Sequence, residues 1–208
     1  MEYTENAAVG CVIMASGRAV RFGSNKLLAD FGSAPLIARA LDVTETPALA
    51  ARVVVTRSPE VAELACKAGV KTILHSLPGR NDTVRLGLEA LLSELPGLAG
   101  CIFLPGDQPL LRKESLRAMA RDFSALDEKE RAILRLGFRA EDGTERLGSP
   151  VLFGSRYFGA LCSLPEGKGG GVVIRRHPES VQAVYAARQE ELEDADTVEE
   201  LERLRKLL

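Results

Sequence analysis

The stretch VGCVIMASGRAVRFGSNKLL, from Val9 to Leu28, decides the fold that we expect for this chain. It opens with a run of apolar and small residues, 9–15, which predicts a strand buried on both faces. The run stops at Ser16-Gly17, where a loop with two arginines, two glycines and a lysine begins. Glycines let backbone N–H groups approach phosphate oxygens, and cationic side chains add charge. The join therefore predicts a phosphate-binding loop at the end of a buried strand.

Two common phosphate-binding motifs are absent from this loop. No GK[ST] opens the following helix, so it is not a P-loop, and no GxGxxG is present, which disfavours an NAD-binding dehydrogenase. The residues leave two interpretations open: a loop of a third kind that wraps a triphosphate, or a surface turn with solvated cations.

Apolar runs alternate with segments of helical periodicity over the first 125 residues. Such alternation with continuous apolar strands predicts a Rossmann-like, three-layer α/β/α fold with a mostly parallel sheet. The predicted strands are 9–15, 52–56, 70–74 and 100–104, and the predicted helices are 35–43, 59–68, 81–95 and 113–123.

The pattern changes after residue 130. Apolar runs at 132–138 and 150–153 flank an Asp142-Gly143 turn, which predicts a C-terminal β-hairpin insertion. A helix at 155–163, a glycine-rich loop at 167–171, a strand at 181–185 and a helix from Thr197 follow. Because neither a repeat nor a linker interrupts the chain, we expect one domain over residues 1–208.

Composition narrows the class of protein. The 208 residues are 46% hydrophobic and 27% charged, values of an ordinary globular chain. The net charge of −2 gives no reason to expect nucleic acid, and no apolar run approaches the roughly 18 residues of a membrane span. The acidic start lacks the features of a secretion signal, and the four cysteines form no CxxC. We therefore expect a cytoplasmic protein without a membrane partner, and a monomer.

A second loop follows the strand at 100–104. It reads Leu104-Pro-Gly-Asp-Gln-Pro109, and two prolines stiffen the chain around Asp107. A carboxylate at this place suits Mg²⁺ bound against a nucleotide phosphate, whereas an Asx-turn or helix cap is the alternative. In an open parallel sheet, ligands bind beyond the carboxyl ends of the strands. Both loops are thus expected to border one crevice.

Four segments together resemble the nucleotidyltransferase superfamily, in its MobA-like branch, and most closely the molybdenum cofactor cytidylyltransferases. That group has an opening LAAGxSxRMGxxKLL, a metal-binding LGDQP, a GxPVLF and a closing DIDTPEDL. In the same order, this chain has MASGRAVRFGSNKLL at 14–28, PGDQP at 105–109, GSPVLF at 148–153 and DADTVEEL at 194–201.

The resemblance implies a fold of the nucleotide-diphospho-sugar transferase type and transfer of CMP from CTP to a phosphate-bearing acceptor, with release of pyrophosphate. It implies molybdopterin or the molybdenum cofactor as acceptor, Mg²⁺ or alternatively Mn²⁺ as cofactor, and transient contact with a molybdoenzyme or its chaperone. Arg21 and Lys26 would neutralise the triphosphate, and Asp107 would bind the metal with Asp196 and Asp194. The further nucleotide contacts would be Ala15, Ser16, Gly17, Gly23, Arg80, Thr83, Pro105 and Gly106, and the acceptor contacts Gln108, Ser149, Pro150 and Lys168.

The chain departs from the group's pattern at positions that bear on substrate choice. Ser16 stands where Ala accompanies CTP use and Gly accompanies GTP use, and Ser149 stands where His is frequent. Lys168, in GKGGG, replaces an acid of GDxGA beside the acceptor. The loop also lacks a serine, at Ala19, and the closing motif lacks a proline, at Val198.

Several alternatives therefore stay open. A guanylyltransferase of the same cofactor is one, and a methylerythritol phosphate cytidylyltransferase, whose RQDSV resembles residues 80–84, is another. A nucleotide-binding regulator without turnover is a third. Asn81 or Asp82 is expected to cap the helix there, which leaves an ordinary cap with surface arginines as the alternative to nucleotide contact. We expect the two histidines to be structural or surface residues.

Overall fold

The computed structural model describes residues 7–17 and 25–208, and in this part of the chain seven strands form one sheet. The first half contributes four parallel strands, as the continuous apolar runs predict. Helical crossovers join them, because parallel neighbours cannot be connected by a tight turn. The strands are β1 (Val9–Ala15), β2 (Ala51–Thr56), β3 (Lys71–Leu74) and β4 (Gly100–Pro105), and the crossover helices are α1 (Ile37–Val43), α2 (Pro59–Lys67) and α3 (Arg80–Glu94).

The second half continues the same sheet. The predicted hairpin is confirmed: β5 (Ile133–Arg139) and β6 (Glu145–Gly154) are antiparallel, and β6 also pairs antiparallel with β4. β7 (Val181–Tyr185) lies parallel to β5 at the edge, so the spatial order is β3-β2-β1-β4-β6-β5-β7. The hairpin is thus part of the main sheet. The other helices are α4 (Lys113–Ser124), α5 (Phe158–Cys162), α6 (Gly171–Arg176) and α7 (Val198–Arg205).

Most predicted elements are confirmed to within a few residues, and the differences lie around glycines and turns. β6 begins at Glu145, well before the predicted start, because its amino end is ordered by pairing with β5. The predicted helix at 155–163 divides into a 3-10 turn at 155–157 and α5. The glycine-rich loop ends earlier than predicted, since α6 already starts at Gly171. Among the described helices, none is long and apolar enough to cross a bilayer.

Helices cover both faces of the sheet, which confirms the α/β/α layers. On β1, Cys11 and Ile13 belong to the apolar core that α1, α4 and α7 complete, and Val12 belongs to the core beneath α3 and α5. β1 has β2 on one side and β4 on the other. The chain therefore adds β2 and β3 on one side of β1 and then crosses back to add β4 on the other side. The loops after β1 and β4 diverge at this switch point and leave a crevice between them.

A close approach of α3 to the sheet sets where this helix starts, at the rim of the crevice. Gly87 faces β1 and β2, and a Cβ there would lie 2.4 Å from Cγ1 of Val12 and 3.1 Å from Cγ2 of Val55. No side chain fits at that distance unless the helix moves outward. The missing side chain of Gly87 therefore allows α3 to pack directly on the sheet.

We expect Gly87→Ala to lower the free energy of unfolding by about 1–3 kcal/mol, because the cost of overpacking exceeds the gain in helix propensity. Chemical denaturation followed by circular dichroism measures this change. Gly159→Ala in α5 is the matched control, since nothing lies within 4 Å of its added Cβ. The control should be neutral or stabilising, and equal effects of the two substitutions would contradict the close approach.

Candidate active site

The crevice at the carboxyl ends of the parallel strands contains a cavity of about 400 Å³. The loops after β1 and β4, the start of α3 and the segment before α7 contribute to its wall, so distant parts of the chain meet there. The predicted site residues that line it are Ser16, Gly17, Arg80, Thr83, Pro105, Asp107, Ser149, Asp194 and Asp196.

The lysine of the first loop lies against two of the carboxylates. Nζ of Lys26 is 2.5 Å from Oδ2 of Asp107 and 2.7 Å from Oδ1 of Asp196. Lys26 is only 9% exposed, and burial by itself lowers the pKa of its ammonium group. The charge of Asp107 and hydrogen bonds to both carboxylates outweigh that effect, so the pKa is raised overall. The ammonium group is therefore a permanent positive charge held against two carboxylates of the cleft wall, although Lys26 itself is not among the described residues that line the cavity.

Local capping places Lys26 at this position. The side chain of Asn25 accepts a hydrogen bond from the N–H of Leu27, which begins a 3-10 turn at residues 26–28. Leu27 then packs in the core, and Lys26 points to the carboxylates. The tolerance of Asn for cap and turn positions is the local reason that the loop ends here.

A second cap places Asp196. Thr197 accepts a hydrogen bond from the N–H of Glu200, and the Glu200 carboxylate accepts the N–H groups of Asp196 and Thr197 at 2.9 Å each. This reciprocal arrangement starts α7 and turns the preceding segment toward β4. The N–H of Ala195 donates to the carbonyl of Asp107 at 2.9 Å, which ties the two acidic segments together.

The third carboxyl group, that of Asp194, is shifted toward its protonated form. Burial is the largest cause, the charges of Asp107 and Asp196 add to it, and together they raise the pKa of Asp194 to about 6. The charge of Lys26 and a hydrogen bond from Gln108 act in the opposite direction. Asp107 and Asp196 thus repel a further negative charge at Asp194, and a cation bound beside them would relieve this repulsion.

The donor chemistry of these carboxylates fits a hard divalent cation. Asp107 and Asp196 already share one positively charged group, and their oxygen atoms are the ligands that Mg²⁺ and Mn²⁺ take in proteins. Within residues 7–17 and 25–208, no three His, Cys, Asp or Glu side chains form a complete metal cage. Mg²⁺ is commonly held by one or two carboxylates together with substrate phosphates and water. Two aspartates on the wall of a cleft match the protein's share of that pattern.

On the other side of the cleft, Ser16 is held by neighbouring strands. Its hydroxyl donates to the carbonyl of Val55 at 3.0 Å and lies 2.8 Å from Nε2 of His75, which follows β3. Arg57, which follows β2, donates to the carbonyl of Ser16. The Ser16 hydroxyl is therefore engaged within the protein. The contact of Ser16 with the nucleotide stays a prediction, and the structure adds that its hydroxyl is bound to Val55 and His75.

His75 is held in a setting that favours its neutral form. Burial is the largest cause that lowers its pKa from the usual 6.5, the charge of Arg57 lowers it further, and the carboxylate of Asp82 opposes both. If the Ser16 hydroxyl donates to Val55, then Nε2 of His75 carries the proton that Ser16 accepts. Nδ1 of His75 is buried and has no hydrogen-bond partner among the described residues.

The start of α3 forms another part of the cleft wall. Gly79 is its N-cap, and the carboxylate of Asp82 accepts the Gly79 N–H at 3.0 Å, so Asp82 takes part in the cap as predicted. Arg80 faces the cleft, and Thr83 lies on its wall while being only 3% exposed. Asn81 turns outward instead and accepts the N–H of Gly167 at 2.8 Å, which joins the glycine-rich loop to this helix.

Other predicted residues lie behind the wall or outside it. Gln108 is 3% exposed and donates to the carbonyl of Ser149 at 3.3 Å, so it supports the acceptor side from within. Lys168 lies on a neighbouring cavity that shares Arg80 and Ser149 with the cleft. Pro150 is buried after a cis peptide bond. Ala15 and Gly106 are buried at the strand ends, and Arg21 and Gly23 lie outside the described residues.

Sequence reasoning missed two residues of the site. Arg57 lies on the cleft wall and His75 stands behind Ser16, although neither belongs to a recognised motif. Both directly follow parallel strands, as Ser16 and Asp107 do. A search for polar side chains after every predicted strand, applied to β2 and β3 as well, would have found them.

Comparisons with known proteins agree with the fold described above. A family model described as the MobA-like NTP transferase domain matches residues 11–181. Solved structures of low sequence identity have the same fold, among them a nucleotidyl transferase from Methanothermobacter thermautotroptrophicus (Mth528). It is 20% identical, has a TM-score of 0.78, and the match covers 96% of this chain and 97% of that one.

Three further structures are similar, and two of them were solved with ligands. Rv0371c from Mycobacterium tuberculosis H37Rv is 24% identical over 96% of this chain and 98% of that one, with a TM-score of 0.74. Its complex with manganese is similar at a TM-score of 0.69, with 21% identity over 97% of this chain and 100% of that one. A CMP:2-keto-3-deoxy-manno-octonic acid synthetase complexed with CTP is 16% identical over 97% of this chain and 98% of that one, with a TM-score of 0.74.

We expect the environment of His75 to be measurable by titration. The chain has two histidines, so a His177→Gln variant leaves one imidazole to follow by NMR. Its pKa should lie below 6.5, and Arg57→Gln should raise it because a nearby positive charge is removed. Lys67→Gln, on the exposed face of α2, is the control and should leave the pKa unchanged.

The sign of the stability effect follows from the same shift. As the pH falls below 6.5, the unfolded chain takes up the proton first, so the free energy of unfolding decreases until the pH passes the pKa of the folded state. A His75 pKa at or above 6.5 in the folded protein would contradict the structure.

Proposed function

The chain belongs to the family of MobA-like NTP transferase domains, and we propose that it is a metal-dependent cytidylyltransferase. In this proposal CMP passes from CTP to a phosphate group of an acceptor, molybdopterin or its metal-loaded form, and pyrophosphate is released. One observation supports the proposal above all. Lys26, Asp107 and Asp196, from three distant segments, form a charged cluster at the crevice where an open α/β sheet binds its ligand.

The reaction needs alignment and charge stabilisation more than proton transfer. An oxygen of the acceptor phosphate forms a bond to the α-phosphorus of CTP, and the bond from that phosphorus to the β-phosphate oxygen breaks. The attacking oxygen is already an anion, so no protein base is required. What remains is to hold the two substrates in line and to stabilise the charge on the departing pyrophosphate.

Lys26 is suited to the second task. Its pKa is raised, so its ammonium group stays charged over the neutral pH range. Two of its three N–H donors bind Asp107 and Asp196, which leaves one for a phosphate oxygen. Arg80, on the opposite wall at the start of α3, adds a second cation. Lys26 is buried, where a fixed charge stabilises developing charge more strongly than in bulk water, whereas Arg80 is exposed and its charge is screened more by solvent.

A divalent cation would be held by Asp107 and Asp196, with Asp194 as the third carboxylate nearby. Mg²⁺, or Mn²⁺, would neutralise part of the triphosphate charge when bound. The capping hydrogen bonds of Glu200 and the backbone bond from Ala195 to Asp107 keep these carboxylates in place before any ligand arrives. The cleft is therefore preorganised for an anionic substrate that brings a cation with it.

Ser16 supports CTP as the donor. In the group that this chain resembles, Ala at this position accompanies CTP use and Gly accompanies GTP use. The Ser16 hydroxyl is bonded to Val55 and His75, so it is not free to donate to a base. The residue also retains a Cβ, which a larger purine base would meet. Ser16 is thus expected to act toward the nucleotide as Ala does.

The proposed activity is tested by pyrophosphate release with CTP, GTP, ATP and UTP, each with Mg²⁺ and a molybdopterin acceptor. We expect turnover with CTP and at least about tenfold lower kcat/KM with GTP, as a single close contact can discriminate by that factor. Preference for GTP would make the chain a guanylyltransferase. Tight binding of a nucleotide without turnover would contradict an enzyme and favour a regulator.

Asp107→Asn tests the metal-binding role. We expect kcat/KM to fall by about 100-fold or more, since one fixed charge at the reacting phosphates is lost. Binding of Mn²⁺, followed by electron paramagnetic resonance, should weaken in parallel. Asp122→Asn on the surface of α4, where the carboxylate pairs with Arg121, is the control and should leave both measurements unchanged. Full activity of Asp107→Asn would contradict the assignment.

A further inference from the structure

A second cavity of about 410 Å³ adjoins the cleft and carries an unusual charge distribution. It shares Arg80 and Ser149 with the cleft, and three more cations, Arg135, Lys168 and Arg175, line it. Among the described residues, no Asp or Glu lines it. A chain with a net charge of −2 therefore has four positive side chains around one cavity and no carboxylate on the described part of its wall.

In the part of the chain that the structure describes, none of these four cations forms an ion pair with a carboxylate, although about half of the other described arginines and lysines do. For Arg80, Lys168 and Arg175, which are exposed, solvation is a sufficient explanation. It is not sufficient for Arg135, which is partly buried in the sheet.

Arg135 is held in a fixed orientation on the wall of this cavity. From β5, its Nε donates to the carbonyl of Gly148 at 3.4 Å, and Nη2 donates to the carbonyl of Leu147 at 3.1 Å. A guanidinium group has five N–H donors, so three of the five have no partner among the described residues. Burial lowers the pKa of Arg135 from its ordinary value. This direction is expected for a partly buried cation without a nearby negative charge.

The rest of the cavity is apolar and shaped by close packing. Phe103 and Phe153 form an edge-to-face pair with ring centroids 5.9 Å apart, and Val151 lies beside them. Gly169 and Gly170 let the loop before α6 lie on this wall, since a Cβ would come within 2.8 Å of Arg80 and 2.9 Å of Phe153, respectively. An apolar floor with fixed cations at its rim suits a ring or another apolar body that carries anionic groups.

We propose that Arg135 binds a second anionic group of the acceptor, separate from the phosphate that attacks CTP. The inference rests on the nucleotidyl transfer of the proposed function, because it takes this cavity as the acceptor's place. Since the one phosphate of molybdopterin is the attacking group, the inference points to an acceptor that carries a further phosphate or a carboxylate. The attacking phosphate belongs where the two cavities meet, between Arg80 and Ser149. Arg135 lines the second cavity and does not line the cleft. A group bound to Arg135 is therefore on the side away from the nucleotide.

The chemistry that Arg135 recognises is a carboxylate or a phosphate, since either presents two oxygens to the planar guanidinium fork. Its role is to select and orient the acceptor. The group does not react, and no bond to it forms or breaks. Because the guanidinium is already oriented by two backbone carbonyls, little conformational freedom is lost when the anion binds.

The test compares three small probes that share one phosphate: phenyl phosphate, 4-carboxyphenyl phosphate and 1,4-phenylene bisphosphate. Isothermal titration calorimetry at low salt measures their Kd values. We expect at least one of the two doubly anionic probes to bind about tenfold or more tightly than phenyl phosphate, as hydrogen bonds to a charged group contribute that much. The two probes distinguish a carboxylate from a second phosphate as the preferred group.

Arg135→Gln should remove this increment and leave the affinity for phenyl phosphate unchanged. Arg139→Gln is the matched control, because Arg139 lies on the same strand but pairs with Glu145, and it should retain the increment. Arg135→Lys keeps a charge and loses the fork, so it serves if the Gln variant does not fold; we expect the increment to fall in it too.

Two results would overturn the inference. One is that neither doubly anionic probe binds more tightly than phenyl phosphate to the wild-type protein. The other is that the increment survives in Arg135→Gln, or survives in full in Arg135→Lys. Because the readout is binding without a nucleotide, a failure of cytidylyl transfer and a failure of this inference are separate observations.

Discussion

The contact of one buried lysine with two aspartates is the constraint on which the site depends. Lys26 comes from the first loop, Asp107 from the loop after β4, and Asp196 from the segment before α7, 170 residues along the chain from Lys26. A charge with so little exposure is tolerated only when opposite charges and hydrogen bonds surround it. The fold therefore has to bring these three segments together, and the cleft between them is a consequence of doing so.

Burying such a charged cluster lowers the free energy of unfolding, but it places a fixed charge where the proposed reaction needs one. An apolar residue at position 26 would pack against Leu27 and the core without the loss of hydration that an ammonium group suffers. The same loss of hydration makes the charge effective toward a triphosphate, because it is fixed and is screened little by water. The carboxylates of Asp107 and Asp196 add to the effect of burial in raising the pKa of Asp194, and a cation bound there would relieve the repulsion among the three.

The two adjoining cavities divide the proposed reaction in space. The cleft beside Lys26 and the aspartates suits a nucleoside triphosphate with its metal. In the neighbouring cavity, the charged side chains among the described lining residues are all cations, and its floor is apolar. Arg80 and Ser149 belong to both. Sharing a wall is a direct way to hold two substrates in line, which supplies much of the rate enhancement when both reacting groups are phosphates. α3 is placed by its close packing at Gly87, so Arg80 depends on a contact deep in the core.

The sequence alone determined the layered α/β fold, the hairpin and the loops around Lys26 and Asp107, because periodicity and turn residues are local properties. It also indicated Asp196 through a motif. The tertiary structure decided the rest: that the Ser16 hydroxyl lies against Val55 and His75, that Arg57 faces the cleft, and that Arg135 has no carboxylate beside it among the described residues. These facts depend on which strands are neighbours and on which side chains find partners across the sheet. No local pattern encodes them, since each partner lies far away along the chain.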